Sequence, residues 1–212
     1  MKVLAINGSS RKDGNTAYGI EVMKKELEQE NIEVEIFNIG MKPIHQCIDC
    51  HRCFREKDGK CVFDDDIVNE LFSKFEECDG LILGSPIHFA GIAGGLKAAL
   101  DRLFYIDIAM DNPLRHKVGC SFGAVRRAGG IPAVNQLNQY LQYAEMIMPT
   151  SDYWNVIFGL AKGEAKQDEE GVRTLRNLAQ NMAWSLKLVQ NGREHHIKEP
   201  VEIKSNFTNM IR

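Results

Sequence analysis

Cys47, Cys50, Cys53 and Cys61 fall in the pattern C-x2-C-x2-C-x7-C. Three thiols at two-residue gaps can converge on one inorganic centre, as in a ferredoxin-type run, and the fourth completes the ligand set of a [4Fe–4S] cluster. The same spacing admits free or redox-active thiols. It suits zinc less well, because tetrahedral zinc sites more often draw on two separated pairs. His45 and His51 flank the run, but single histidines in a polar loop do not mark ligands and neither is counted. Cys78 and Cys120, at the end of a helix and within a strand, read as small buried hydrophobes.

A second stretch with chemical potential is Gly8-Ser9-Ser10-Arg11-Lys12-Asp13-Gly14-Asn15-Thr16. It matches neither GxGxxG nor GxxxxGK[ST], so neither the dinucleotide nor the nucleoside-triphosphate fingerprint applies. It does set three hydroxyls, the Arg11 cation and free backbone N–H groups at the positive end of a helix, which together suit one phosphate monoester. A helix capped by Asn15 or Thr16 accounts for the same residues without a ligand. The third stretch, from Ser85 to Gly95, turns from strand to helix through Gly84-Ser85-Pro86, and ligands settle at such turns in open α/β sheets. No Ser-His-Asp or Cys-His constellation appears, and no residue is assigned a catalytic role.

The elements that must carry these stretches alternate. Strands are expected over residues 2–7, 33–39, 81–83, 117–123 and 153–158. Helices follow them, with Ile20, Met23 and Leu27 on the first and Val68, Leu71, Phe72 and Phe75 on the second. The third carries Leu96, Leu100, Leu103 and Phe104, with Asp101 and Arg102 directed away from that face. The fourth is expected over 131–148 and the fifth over 172–189. Asp64, Asp65 and Asp66 read as caps of the second helix, 40–63 as a cysteine-rich insertion without pattern, 124–130 as a glycine-ended loop and 159–171 as a solvated loop. Five such units make a doubly wound α/β fold, with a five-stranded parallel sheet in the order 2-1-3-4-5. That order brings the Ser9 and Ser85 loops to one crevice at the switch point.

The chain has 212 residues, 44% hydrophobic and 26% charged, and a net charge of -3. This content suits one domain, expected over 1–192 with a tail at 193–212 placed at an oligomer interface. The charge argues against nucleic-acid and membrane partners. No apolar run is long enough for a spanning helix or a signal-peptide core, so a cytoplasmic location is expected.

The motifs GSSRKDGNT at 8–16, SPIHFAGIAGGLKAALDR at 85–102 and the cysteine run resemble the flavodoxin-like NAD(P)H-dependent FMN reductases, and among them the iron-sulfur flavoproteins. The resemblance covers residues 1 to about 189. It implies FMN, with its phosphate held by Ser9, Ser10, Arg11, Asn15 and Thr16. The ring would lie beside Ser85, Pro86, Ile87, His88, Phe89 and Gly91 and the fourth loop, Ala124, Val125, Arg126 and Gly130. Two departures stand out: His88 takes a place usually filled by tyrosine, and Arg126 and Arg127 lie in the loop nearest the ring. Arg126 reads either as a solvated charge or as a stabiliser of anionic reduced flavin.

The function implied is an FMN-dependent oxidoreductase. It would pass electrons from NAD(P)H or a ferredoxin-like protein donor to a small acceptor such as a quinone, nitro compound, flavin or oxygen, and work as a homodimer or homotetramer. The rival readings are an electron carrier between protein partners, and a thiol or zinc regulatory module that has lost the flavin.

Overall fold

The computed structural model describes residues 1–201. Strand β1 (Lys2–Asn7) sends its side chains alternately to two cores. Leu4 and Ile6 join Phe72, Phe75, Leu96, Leu100, Leu103 and Leu137 on one face, while Val3 and Ala5 join Ile20, Met23, Phe122, Leu175, Leu178 and Met182 on the other. A strand that is apolar on both faces can only be satisfied between two layers of helices.

The remaining elements supply those layers. In chain order they are α1 (Asn15–Gln29), β2 (Glu33–Asn38), α2 (Arg52–Glu56), α3 (Val68–Glu77), β3 (Gly80–His88), β4 (Gly91–Ile92), α4 (Gly94–Ala109), β5 (Val118–Val125), α5 (Gly130–Tyr143), β6 (Val156–Phe158) and α6 (Glu169–Glu194). Five strands run parallel in the order β2-β1-β3-β5-β6, which is the expected flavodoxin-like order. Helices α1 and α6 cover one face, and α3, α4 and α5 the other. Among the described residues no helix is long and apolar enough to cross a membrane.

Several local expectations need correction. Strand β3 runs on to His88 and doubles back as β4, pairing Ile87 with Ile92 and His88 with Gly91. The turn places Phe89 and Ala90 at φ 50° and 60°, the left-handed pair that a two-residue hairpin requires. Ala124 and Val125 belong to β5 and not to a loop. Helix α5 ends at Tyr143, well short of 148. Helix α6 begins at Glu169 because Asp168 caps it, its Oδ1 accepting from the Gly171 amide at 3.0 Å, and it continues to Glu194. Residues 40–63 are not without structure, since Arg52–Glu56 forms a short helix. Arg102 does not point to solvent, being 1% exposed. Of the expected tail, residues 202–212 lie outside the described residues, and Glu199 accepts from Arg193 Nε at 3.2 Å and pairs with His116 Nδ1 at 3.1 Å.

One buried group makes stability depend on pH. Asp107 is 1% exposed, and its Oδ1 accepts from the Leu114 amide at 3.1 Å. Oδ2 has no partner among the described residues. Burial pushes this carboxyl up to about 6, with the Leu114 amide and the Lys117 charge offsetting only part of that rise. A folded pKa above the unfolded value favours the protonated folded form, so this stabilisation is full below the ordinary carboxyl pKa and is lost as pH rises through about 6. Asp107→Asn keeps the acceptor and removes the charge. Denaturation at acid and neutral pH should show the variant gaining on the parent as pH rises, by up to about 3 kcal/mol. A gap that does not change with pH would refute it.

Candidate functional site

Asn7, the last residue of β1 and fully buried, builds the first loop. Its Oδ1 accepts from the Ser9 amide at 3.1 Å, and its Nδ2 donates to Asn38 Oδ1 at 2.8 Å and to the Arg11 carbonyl at 3.3 Å. The Ser9 hydroxyl then accepts from the Arg11 amide at 3.1 Å. Gly8 donates its N–H to the Gly84 carbonyl at 2.8 Å. A Cβ at Gly8 would lie 2.5 Å from Leu96 Cδ2 and 2.8 Å from that carbonyl, so the close approach of the first and third loops needs glycine here. Helix α1 follows with Gly14 at its N-cap and no side-chain cap. Neither Asn15 nor Thr16 caps it, so the alternative reading of these residues as a helix cap is not met, and the first-turn N–H groups keep no partner within the helix.

Asn15 works elsewhere. Its Oδ1 accepts from the Gly163 and Ala165 amides at 3.0 and 3.3 Å, and its Nδ2 donates to the Ala161 carbonyl at 3.0 Å. These bonds draw the 159–165 segment over the start of α1, where Lys162 pairs with Asp13. That segment is therefore a wall of the site and not a purely solvated loop.

The four loops enclose a cleft of about 310 Å³. Ser9, Ser10, Arg11, Asn15 and Thr16 line it from the first loop, Pro86, Ile87 and His88 from β3, Ala124 and Arg126 from the end of β5, and Gly159, Leu160 and Lys162 from beyond β6. The expected residues Ser85, Phe89, Gly91, Val125 and Gly130 lie outside this lining. Ser85 is buried, with its Oγ donating to the Pro86 carbonyl and accepting from the Ala93 amide. Phe89 stands fully exposed at the hairpin tip, and Gly91 is in β4. Val125 packs with Val134 and Val156. Gly130 opens α5 and lines a separate cavity of about 280 Å³ with Arg127 and Trp154. Successive residues Arg126 and Arg127 thus serve different hollows.

The donor set fits a flavin mononucleotide. Uncapped amides, hydroxyls and the cations Arg11 and Lys162 gather at one end, as a phosphate dianion requires. Pro86, Ile87 and Ala124 give an apolar bed for a flat ring at the other. Sequence reasoning missed Asn7, Leu160 and Lys162. Gly159 at the end of a short strand was the available signal, since a Cβ there would lie 2.7 Å from Asn15 Nδ2.

The cysteine segment forms a second site that shares no lining residue with the first. Cys47, Cys50, Cys53 and Cys61 border one narrow cavity closed by Arg102, Tyr105 and Ile106 of α4. All four are free thiols, with Cys53 buried and the others half-buried. Burial raises the Cys53 thiol pKa. Asp49, His51 and Lys57 hold left-handed backbone at φ 53°, 55° and 49°, a cost for non-glycine residues that marks a constrained loop. Arg55 Nη1 donates to the Cys50 carbonyl at 2.7 Å, and the Cys61 amide donates to Asn69 Oδ1 at 2.7 Å. Among the described residues no three His, Cys, Asp or Glu side chains converge tightly enough for a single metal ion. Four thiols around one cavity match, in donor type and number, what a polynuclear cluster would need. His45 stacks on Phe63 at 4.3 Å, and His51 meets the Tyr105 hydroxyl at 3.1 Å. Cys78 and Cys120 are buried away from both sites, and burial pushes their thiols up to about 11 and about 12.

Sheet order and cleft define a flavodoxin-like flavoprotein. A profile of the family described as NADPH-dependent FMN reductase matches residues 1–160, and the chain belongs to that family of flavin-dependent oxidoreductases. It is 36% identical over 197 residues to an iron-sulfur flavoprotein of Methanocaldococcus jannaschii, covering 90% of this chain and 100% of that one. It is 38% identical over 213 residues to an iron-sulfur flavoprotein of Archaeoglobus fulgidus, covering 100% of this chain and 91% of the other. The crystal structure of RosB with a bound 8-demethyl-8-formylriboflavin-5'-phosphate intermediate superposes with a TM-score of 0.68 at 18% identity, over 100% of this chain and 94% of that one.

Asn7 carries the first loop, so its loss should be felt in the whole molecule. Asn7→Ala leaves the Ser9 amide buried without an acceptor, at a cost of about 1–3 kcal/mol. Equilibrium denaturation reads this directly, and a variant as stable as its parent would show that the loop stands without Asn7.

Proposed function

We propose that the cleft binds FMN with its phosphate at residues 9–16 and its ring between Pro86–His88 and Ala124–Arg126, and that the protein passes electrons from NAD(P)H to a small acceptor such as a quinone, nitro compound, flavin or oxygen. The observation that carries this reading is the convergence of the first loop, the ends of β3 and β5 and the 159–162 segment on one cleft whose lining joins the hydroxyls of Ser9, Ser10 and Thr16 and the cations Arg11 and Lys162 with the apolar Pro86, Ile87 and Ala124. When bound, FMN supplies hydride and single-electron chemistry. The chain's own residues bind and orient it. The α1 amides and the Ser10 and Thr16 hydroxyls take the phosphate, while Arg11 and Lys162 neutralise it. Arg126, exposed at the rim, faces negative charge that builds on the ring side of the cleft. His88, also exposed, leaves the outer face open to a donor.

The four cysteines around one cavity favour a second reading, in which a [4Fe–4S] cluster held by Cys47, Cys50, Cys53 and Cys61 works with the flavin to relay single electrons between protein partners. A ferredoxin-like protein would then replace NAD(P)H as the donor.

Anaerobic mixing separates the two. Under the first reading NADPH or NADH bleaches the flavin absorbance of FMN-loaded protein, and a quinone restores it. A flavin that resists both nucleotides but is reduced by a reduced ferredoxin contradicts the first reading and supports the carrier. Replacing any one of the four cysteines with serine should take iron from about four per chain to near zero with FMN retained, and iron near zero in the parent after reconstitution would reject the cluster.

A further inference from the structure

Arg102 lies on α4, eight residues from the helix start, with its side chain buried against the cysteine segment. Burying a guanidinium is costly unless every donor finds a partner, and the partners here come from one stretch of chain. Its Nη1 pairs with Asp66, whose side chain is likewise 1% exposed, and donates to the His45 carbonyl at 3.2 Å. Nη2 donates to the Phe63 carbonyl at 3.2 Å, and the group lies over the Phe63 ring, 5.3 Å from its centroid. Burial tends to raise the Asp66 pKa, but the Arg102 hydrogen bond and the His45 and Val68 amides outweigh it and hold this carboxyl below its usual range. The pair is therefore charged on both sides. The third nitrogen, Nε, takes no part in fastening the guanidinium to these groups, and its N–H is aimed at Cys61 Sγ at 3.0 Å.

A fork gripped at both terminal nitrogens cannot turn, so the Nε–H direction is fixed by Asp66, His45 and Phe63 and not by the sulfur. The sulfur receives a charge-assisted donor whether or not anything else is bound. Hydrogen bonds to ligand sulfurs, together with local net charge, set the reduction potential of thiolate-held clusters.

We propose that Arg102 is a positioning residue that raises the reduction potential of the centre held by Cys47, Cys50, Cys53 and Cys61 through its Nε–H···Sγ bond to Cys61, and that Asp66 moderates the effect. The proposal rests on the cluster reading above. Taking up one electron adds one negative charge and breaks no bond, and Arg102 faces that charge at hydrogen-bond distance from a ligand sulfur. Asp66 brings a negative charge against the same guanidinium, so removing either partner changes the local charge in the opposite sense.

The test uses the full chain, reconstituted anaerobically with iron and sulfide and titrated against dithionite with redox mediators, the cluster being followed by electron paramagnetic resonance. Arg102→Gln should shift the midpoint to more negative potential and Asp66→Asn to more positive potential, with FMN content at the parental level in both. Should Arg102→Gln fail to fold, the positive shift of Asp66→Asn tests the same charge relation. Midpoints that do not move, or that move in the same direction in both variants, overturn the proposal while leaving the cluster in place. Absence of iron from the reconstituted parent sinks the cluster reading and this proposal together.

Discussion

The constraint on which the molecule depends is the adjacency of β1 and β3 at the point where the chain leaves them for opposite faces of the sheet. Helix α1 departs to the layer shared with α6, and α4 to the layer shared with α3 and α5. The two connections cannot fill the space between them, so a crevice opens above the strand ends. What brings its walls together is backbone contact, the Gly8 amide on the Gly84 carbonyl at 2.8 Å, at a distance no side chain would tolerate. Asn7 fixes the path of the first loop over that contact, and Asn15 draws in the loop beyond β6. The cleft's chemistry, amides and hydroxyls at one end and apolar side chains at the other, follows from where these turns must lie.

The cysteine segment obeys a different logic. It leaves the end of β2 and packs Ile44, Cys53 and Phe54 against the core, and polar bonds fasten the rest. Arg52 pairs with Asp58, Asn69 holds Cys61, and the buried Arg102–Asp66 pair anchors 45–66 to α4. A buried ion pair adds little net stability compared with an apolar pair of similar size. What it secures is one fixed geometry for four thiols, which a loop with left-handed residues at 49, 51 and 57 would not otherwise hold.

The layer arrangement was legible in the sequence because β1 and β3 are apolar on both faces and helical spacing returns after each of them. The polar lining of the cleft was legible because Ser9, Ser10 and Arg11 are contiguous and Thr16 follows in the same short stretch. What escaped notice depends on partners distant in the chain. Arg102 carries a charge on a helix, and periodicity alone assigns such a residue to the solvent side; its burial is decided by Asp66, 36 residues away. Asn15 reads as a cap because capping is the local role of asparagine, but its acceptors and donors lie 146 to 150 residues further on. The hairpin at Phe89 and Ala90 carries no glycine or asparagine at its turn, so nothing announced it.

The central claim is that residues 9–16 hold a phosphate and not merely the start of a helix. The most direct measurement compares FMN with riboflavin, which has the same ring and no phosphate, by titration into the flavin-free protein. Losing even one charge-assisted hydrogen bond costs about 1.5–3 kcal/mol, so riboflavin should bind at least about tenfold more weakly than FMN. Equal affinities for the two would contradict the account.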